Sequence, residues 1–405
     1  MNEIKKIQIL YVSNLCSENV INFLFKTSNT KPAQEAQKFH RLIVEGFGMH
    51  PDLCKVHTLS GIPLLLSNYK RKIWNLSSEK VSNVSFNYVP QINIPFLRDI
   101  VSFVYSFFWI LKWFRLNKGK KKVIICDTLK FSLSSSAILA SKLSKEIVVG
   151  IVTDLPDLLV GSNKKRSFKY KIYKRVSYFT MFNFNKYIIL TAQMNEIVNP
   201  NSKPFLIMEG LVDINMKNKI NSLKEKDLKR ILLYAGGLYE EYGIKTLLEA
   251  FMKLKGDNIC LHIFGPGEME NEMPKYMKLD KRIVYKGIVP NSEVIDYELQ
   301  ATLLINPRLT KNDFTKFSFP SKNMEYMASG TPTVTTKLPG MPLEYYRYVY
   351  LFEDESVEGM ANTLKELMVL SDNELFAFGR NAQQFVLKNK SNLIQSKRIL
   401  DFLNN

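Results

Sequence analysis

Cysteine and histidine are scarce in this chain of 405 residues, at four each. Cys16, Cys54, Cys126 and Cys260 are scattered with no C-x-x-C pair, which excludes a disulfide framework and points to free thiols. His40, His50, His57 and His262 lack metal-ligand spacing, and no D-x-D pair occurs to hold a divalent ion, so no protein-bound metal is expected. Long apolar runs are missing too. The most hydrophobic segment, "DIVSFVYSFFWILKWF" at 99–114, is uncharged only from Ile100 to Leu111, too short for the ~30 Å hydrocarbon core. The opening "MNEIKKIQILYVSN" runs into a strand rather than a secretory apolar region, which predicts a cytoplasmic location. Internal repeats and low-complexity tracts are absent as well.

What the chain does have is 46% hydrophobic and 23% charged residues, enough for two or three ordered domains, two α/β domains being the natural expectation. The net charge of +18 is unevenly shared: residues 1–200 hold 29 Lys and Arg against 12 Asp and Glu, residues 201–405 hold 27 against 26. Such asymmetry reads as a positively charged face on the first domain, whose partner should be anionic. Arg98, Lys112, Arg115 and "KGKKK" flank the apolar segment, and "KKRSFKYKIYKR" at 164–175 interleaves aromatics with lysines. Two readings stand: a packed crossover helix with a solvated basic loop, or an interfacial segment on anionic lipid.

Short strands at "IQILYVS", "FNYVPQ", "KVIICDTL", "EIVVGIVTD" and "KYIILTAQ" alternate with helical stretches. The second half repeats the scheme at "RILLYAGG", "ICLHIFGPG", "RIVYKGIV", "ATLLINP", "TPTVTT" and "YVYLFED". This alternation predicts two Rossmann-like, doubly wound α/β domains facing across a cleft, joined near "NPNSKPFLIMEGLVD". The boundaries fall at 1–202 and 203–385, with a helix at 386–405 that packs back on the first domain. Ligands of such sheets bind outside the carboxyl ends of the strands.

The stretch "FTKFSFPSKNMEYMASGTPTVTT" at 314–336 places polar residues there. Pro320 and Ser321 start a helix over Asn323–Ser329, Gly330 stops it, and Pro332–Thr336 form a strand. A helix start presents unpaired N–H groups and a positive dipole end, which suits a phosphate beside Ser318, Ser321 and Lys322; Glu325, one turn further in, can accept two ribose hydroxyls. A capped surface helix explains the same residues. Gly236 and Gly237 let backbone approach a diphosphate, Gly265 and Gly267 keep a loop tight, and Gly287, Ile288 and Val289 can meet a flat base with main-chain groups, though each alone also suits a plain strand-to-helix turn.

These segments in this order resemble retaining family 4 glycosyltransferases of the GT-B fold, and "FTKFSFPSKNMEYMASGTPTVTTKLPGMP" is similar to the capsule and exopolysaccharide enzymes among them. "AQKFHRLIVEGF", "IICDTL" and "IVTDLPDLL" are similar to that group's N-terminal domain. The resemblance implies that Glu325 binds the ribose of a nucleotide-sugar co-substrate, that Ser321 and Lys322 hold its phosphates, that the backbone of 287–289 reads the base, and that no further cofactor is needed. Three positions depart from the family: the carboxylate eight residues before Glu325 is here Phe317, and the Arg and Lys of the first donor loop fall at Gly237 and Tyr242. Thr153-Asp154 stands where many members carry His-Asp. Asp154 or Asp157 is then the candidate for orienting an acceptor hydroxyl, with helix capping as the alternative.

The reading implied is a metal-independent transfer from a nucleotide-sugar, uridine ahead of guanosine, to a lipid-linked or polysaccharide-precursor glycan at the inner face of the cell membrane, with no nucleic acid involved. Lys322, the helix start at Ser321 and the Gly236 and Gly237 amides would stabilise the departing diphosphate. A non-catalytic basic protein that binds membrane or nucleic acid is the competing expectation, and an epimerase finds no paired carboxylates or histidine to support it.

Overall fold

The computed structural model describes residues 6–27, 35–62, 73–94, 96–156, 158, 168–223, 226 and 229–404. The chain forms two compact units, one of Met1–Glu209 with Asn392–Asn405, the other of Gly210–Ser391.

In chain order the first unit contains β1 (Ile7–Ser13), α1 (Glu18–Thr27), α2 (Glu35–Gly48), β2 (Cys54–Ser60), β3 (Ile73–Trp74), β4 (Glu79–Val81), β5 (Val84–Phe86), β6 (Gln91–Ile92), α3 (Leu97–Leu116), β7 (Lys122–Asp127), α4 (Phe131–Ser144), β8 (Ile147–Val152), α5 (Phe168–Met181), β9 (Lys186–Ile189), α6 (Ala192–Val198) and β10 (Phe205–Ile207). Its sheet runs β10-β9-β8-β7-β1-β2-β5-β4, parallel apart from the β4–β5 pair. All seven residues of β1 are buried, as a strand covered on both faces demands, and this is why "IQILYVS" shows no apolar–polar alternation and runs apolar from Ile9 to Val12. β2 is invisible to that criterion: Lys55 and His57 interrupt it, yet it pairs with β1 from Ile7–Cys54 to Ser13–Ser60. The strand expected at "FNYVPQ" is displaced; β5 ends at Phe86, and Tyr88 makes only an isolated bridge to Ser60. β10 lies inside the segment where the sequence places the join, and it forms the sheet's edge against β9.

The second unit contains β11 (Arg230–Ala235), α7 (Ile244–Met252), β12 (Ile259–Phe264), α8 (Met273–Leu279), β13 (Ile283–Tyr285), α9 (Asn291–Gln300), β14 (Leu303–Asn306), α10 (Ser321–Ser329), β15 (Thr333–Thr336), β16 (Tyr350–Phe352), α11 (Val357–Val369) and α12 (Asp372–Lys390). The sheet order is β13-β12-β11-β14-β15-β16, parallel throughout. β11 shows why: Leu232 and Tyr234 enter the core beneath α7, while Ile231, Leu233 and Ala235 enter the opposite core with Tyr326 of α10. From β11 the chain winds outward through β12 and β13, then returns to β14 and winds the other way. The reversal lies between β11 and β14, and such a reversal is where open parallel sheets take their ligands.

After α12 the chain re-enters the first unit as α13 (Asn392–Asn404), which packs along α2. Gly46 makes this possible, since a Cβ there would lie 2.3 Å from the Asn392 carbonyl oxygen.

Candidate functional site

Every candidate in the second unit lies past the carboxyl end of a strand. Gly236 and Gly237 follow β11, Gly265 and Gly267 follow β12, Gly287, Ile288 and Val289 follow β13, Ser318 lies in the β14–α10 connection, and Ser321, Lys322 and Glu325 lie in the first half of α10. Three of these turns are tied in a row: the Gly236 N–H donates to the Phe264 carbonyl at 3.1 Å, and the Gly265 N–H to the Gly287 carbonyl at 3.0 Å. Gly265 sits at φ +117 with its virtual Cβ 2.0 Å from the Gly236 oxygen, so no side chain is tolerated where the loops touch.

The helix α10 begins at Ser321, two residues earlier than the sequence suggests, and Pro320 at its N-cap offers no side-chain acceptor. The Ser321 and Lys322 amides thus stand at the positive end of the helix dipole. Two buried contacts fix α10 on the sheet. The Tyr326 hydroxyl accepts from the Ala235 N–H at 2.8 Å and donates to the Ala235 carbonyl at 3.2 Å, and Asn306 Nδ2 donates to Asn323 Oδ1 at 2.7 Å. Helix start and β11 turn are thereby held as one piece.

Lys322 and Glu325, given separate ligands by the sequence, form one ion pair: Nζ lies 3.1 Å from Oε2, with the two side chains 18% and 12% exposed. Asn291 Nδ2, at the start of α9, donates to the other carboxylate oxygen at 2.8 Å. Each carboxylate oxygen has a second lone pair, so hydroxyls can still be accepted beside these partners. Ser318 Oγ donates to the Phe314 carbonyl at 3.2 Å and accepts from Arg308 Nη1 at 3.4 Å.

In the first unit Asp154 is an exposed residue just past β8, and Asp157 lies outside the described residues. The structure also assembles a buried cluster at the carboxyl ends of β1 and β7. His40 Nε2 lies 3.3 Å from Asp127 Oδ2, Tyr11 Oη lies 2.7 Å from His40 Nδ1, and Ser13 Oγ donates to Asp127 Oδ2 at 3.2 Å. Burial pushes the Asp127 carboxyl up, but the attraction and hydrogen bond of His40, aided by Lys130 and the Leu129 N–H, outweigh it and hold the group at about 2. His40 and Asp127 stand in the quoted segments "AQKFHRLIVEGF" and "IICDTL". No spacing rule links them, because only the sheet register brings α2 and β7 together.

Residues 229–369 match the model of the family described as glycosyl transferases group 1. The match begins one residue before β11 and ends with α11, so it spans the whole second sheet and its loops. No curated protein matches the chain. Among solved structures, the chain is similar to Anabaena HepE in complex with UDP (TM-score 0.64, 12% identity), to sucrose-phosphate synthase from Thermosynechococcus elongatus (0.67, 12%) and to the lipopolysaccharide outer core galactosyltransferase WaaB (0.58, 14%). Each alignment covers 98% of this chain and 99% of the other. At such identities the likeness speaks for the fold: the protein has the two-domain α/β architecture of GT-B glycosyltransferases.

Proposed function

We propose that the protein is a retaining glycosyltransferase that moves a sugar from a nucleotide-sugar, a UDP-sugar ahead of a GDP-sugar, to a lipid-linked or polysaccharide-precursor glycan in capsule or exopolysaccharide synthesis. The observation that carries this is the uncapped start of α10, with the Lys322–Glu325 pair, at the chain reversal of the sheet that the glycosyl transferases group 1 model matches. The base lies along 287–289 and the ribose on Glu325. The diphosphate lies between the α10 start and the Gly236–Gly237 turn.

As the bond from the anomeric carbon to the phosphate oxygen breaks, charge grows on the diphosphate, where Lys322 and the preset amides receive it. Preorganised donors of this kind contribute roughly 3 kcal/mol each. The acceptor hydroxyl attacks from the face the phosphate leaves, which retains configuration, and its proton passes to that phosphate. Asp154 orients the hydroxyl, and neither metal nor cofactor takes part. UDP is the favoured carrier because HepE is described with UDP and with UDP-glucose.

The first unit supplies the membrane surface. Ile100, Val104 and Phe108, spaced by four residues on α3, are exposed, Phe108 to 64%, with Lys112 and Arg115 beyond them, and no helix among the described residues is long and apolar enough to cross a bilayer. An apolar stripe with a basic end suits peripheral attachment to anionic lipid at the inner face of the cell membrane. The assembled α10 site favours this reading over a non-catalytic basic protein.

Purified protein incubated with radiolabelled UDP-sugars should release UDP, faster with membrane extract as acceptor. Absence of both hydrolysis and transfer with UDP- and GDP-sugars would overturn the reading.

A further inference from the structure

Arg308 follows β14 at the chain reversal, beside the turn that leaves β11. Its guanidinium carbon lies 4.4 Å from the centre of the Tyr242 ring and 5.4 Å from that of Phe314. The side chain is partly buried, Nε is buried with no hydrogen-bond partner, and among the described residues Arg308 enters no ion pair. Its one side-chain hydrogen bond among these residues is the 3.4 Å contact from Nη1 to Ser318 Oγ. A cation held this way is desolvated and oriented but not neutralised, a state that an anionic ligand relieves.

The surroundings say which anion. A Cβ on Gly237 would lie 3.3 Å from Tyr242 Cε2, so the glycine backbone runs against the same ring that Arg308 covers. Gly243 at φ +78 lies so close to the Pro307 carbonyl that a Cβ would come within 2.1 Å of its oxygen, which locks the β11 turn onto Pro307 and Arg308. Arg308 therefore stands between the Gly236–Gly237 turn and Ser318, the two sides of the proposed diphosphate path. Lys322 is neutralised by Glu325, whereas Arg308 has no such partner among the described residues.

We infer that Arg308 binds a phosphate of the nucleoside diphosphate. The inference rests on the nucleotide-sugar reading. It accounts for the departures at Gly237 and Tyr242: the cation missing from the β11 turn comes from the end of β14 and is stacked onto Tyr242 itself.

The test compares UDP with uridine on the full chain, by calorimetric titration for UDP and ligand-observed NMR for uridine. Arg308→Gln should weaken UDP binding about ten- to a hundredfold and leave uridine binding unchanged, and Arg308→Lys should recover part of the loss. An Arg308 that merely staples two rings would, on removal, lower the melting temperature of the unliganded protein and weaken UDP and uridine alike, which would overturn the inference. Unchanged UDP affinity in Arg308→Gln would overturn it and leave the donor reading standing. A wild-type protein that binds neither UDP nor GDP would overturn both.

Discussion

Lys322 and Glu325 neutralise each other at 3.1 Å, so replacing either changes the charge the other presents. Lys322→Ala removes a cation from a group whose charge grows in the transition state, and it should lower kcat about ten- to a hundredfold with a smaller change in donor KM. Glu325→Ala removes contacts common to ground and transition states and should act mainly on donor KM; steady-state kinetics separates the two, with melting temperatures measured alongside. Tyr326→Phe leaves the buried Ala235 N–H without its acceptor and should cost about 1–3 kcal/mol in urea unfolding. Asp127 yields a pH prediction. Its folded-state carboxyl is held at about 2, below its value in the unfolded chain, so it stabilises the protein above that unfolded value and the contribution fades as pH falls from about 4 towards 2. Asp127→Asn should flatten the loss of stability across that window, read from urea midpoints at each pH.

Among the elements, α3 carries the membrane proposal: Phe108→Asp with Val104→Asp should abolish flotation with acidic liposomes while leaving UDP binding intact. Wild-type binding should also fall at high salt, since surface charge is screened within about 10 Å at 0.1 M. The strands most legible in the sequence are those buried on both faces. β1 and β11 carry continuous apolar runs, at 9–12 and 231–235, because those residues are buried on both faces. β2 does not, because Lys55 is exposed and His57 half-exposed. Local signals also locate α10 to within two residues, since a Pro-Ser start and a Gly stop act within one helical turn of themselves. Partnerships made by register leave no such trace. His40 with Asp127, and Arg308 with Tyr242, join residues from different crossovers, and each residue alone looks ordinary.

For the molecule as a whole, the absence of any D-x-D pair predicts that transfer survives EDTA, measured as UDP release; strict dependence on added manganese or magnesium would overturn the metal-free mechanism. The larger consequence lies in α13. The second unit is one continuous stretch, Gly210–Ser391, but the first is interrupted and completed only by Asn392–Asn405. In that tail Ile399, Leu400 and Leu403 are buried, and the Leu393 carbonyl meets His50 Nε2 at 2.9 Å while the Phe402 carbonyl accepts from Lys186 Nζ at 3.0 Å. A ribosome therefore finishes the two units in the reverse of their order along the chain. The later-encoded unit has all of its sequence once Ser391 is added, while the earlier one still lacks α13, and the surface that α13 covers stays wet until residues 392–404 follow. A chain truncated after residue 391 should resist limited proteolysis over 210–391 and be cut within 1–209, and a chain that includes residues 392–404 should be protected in both.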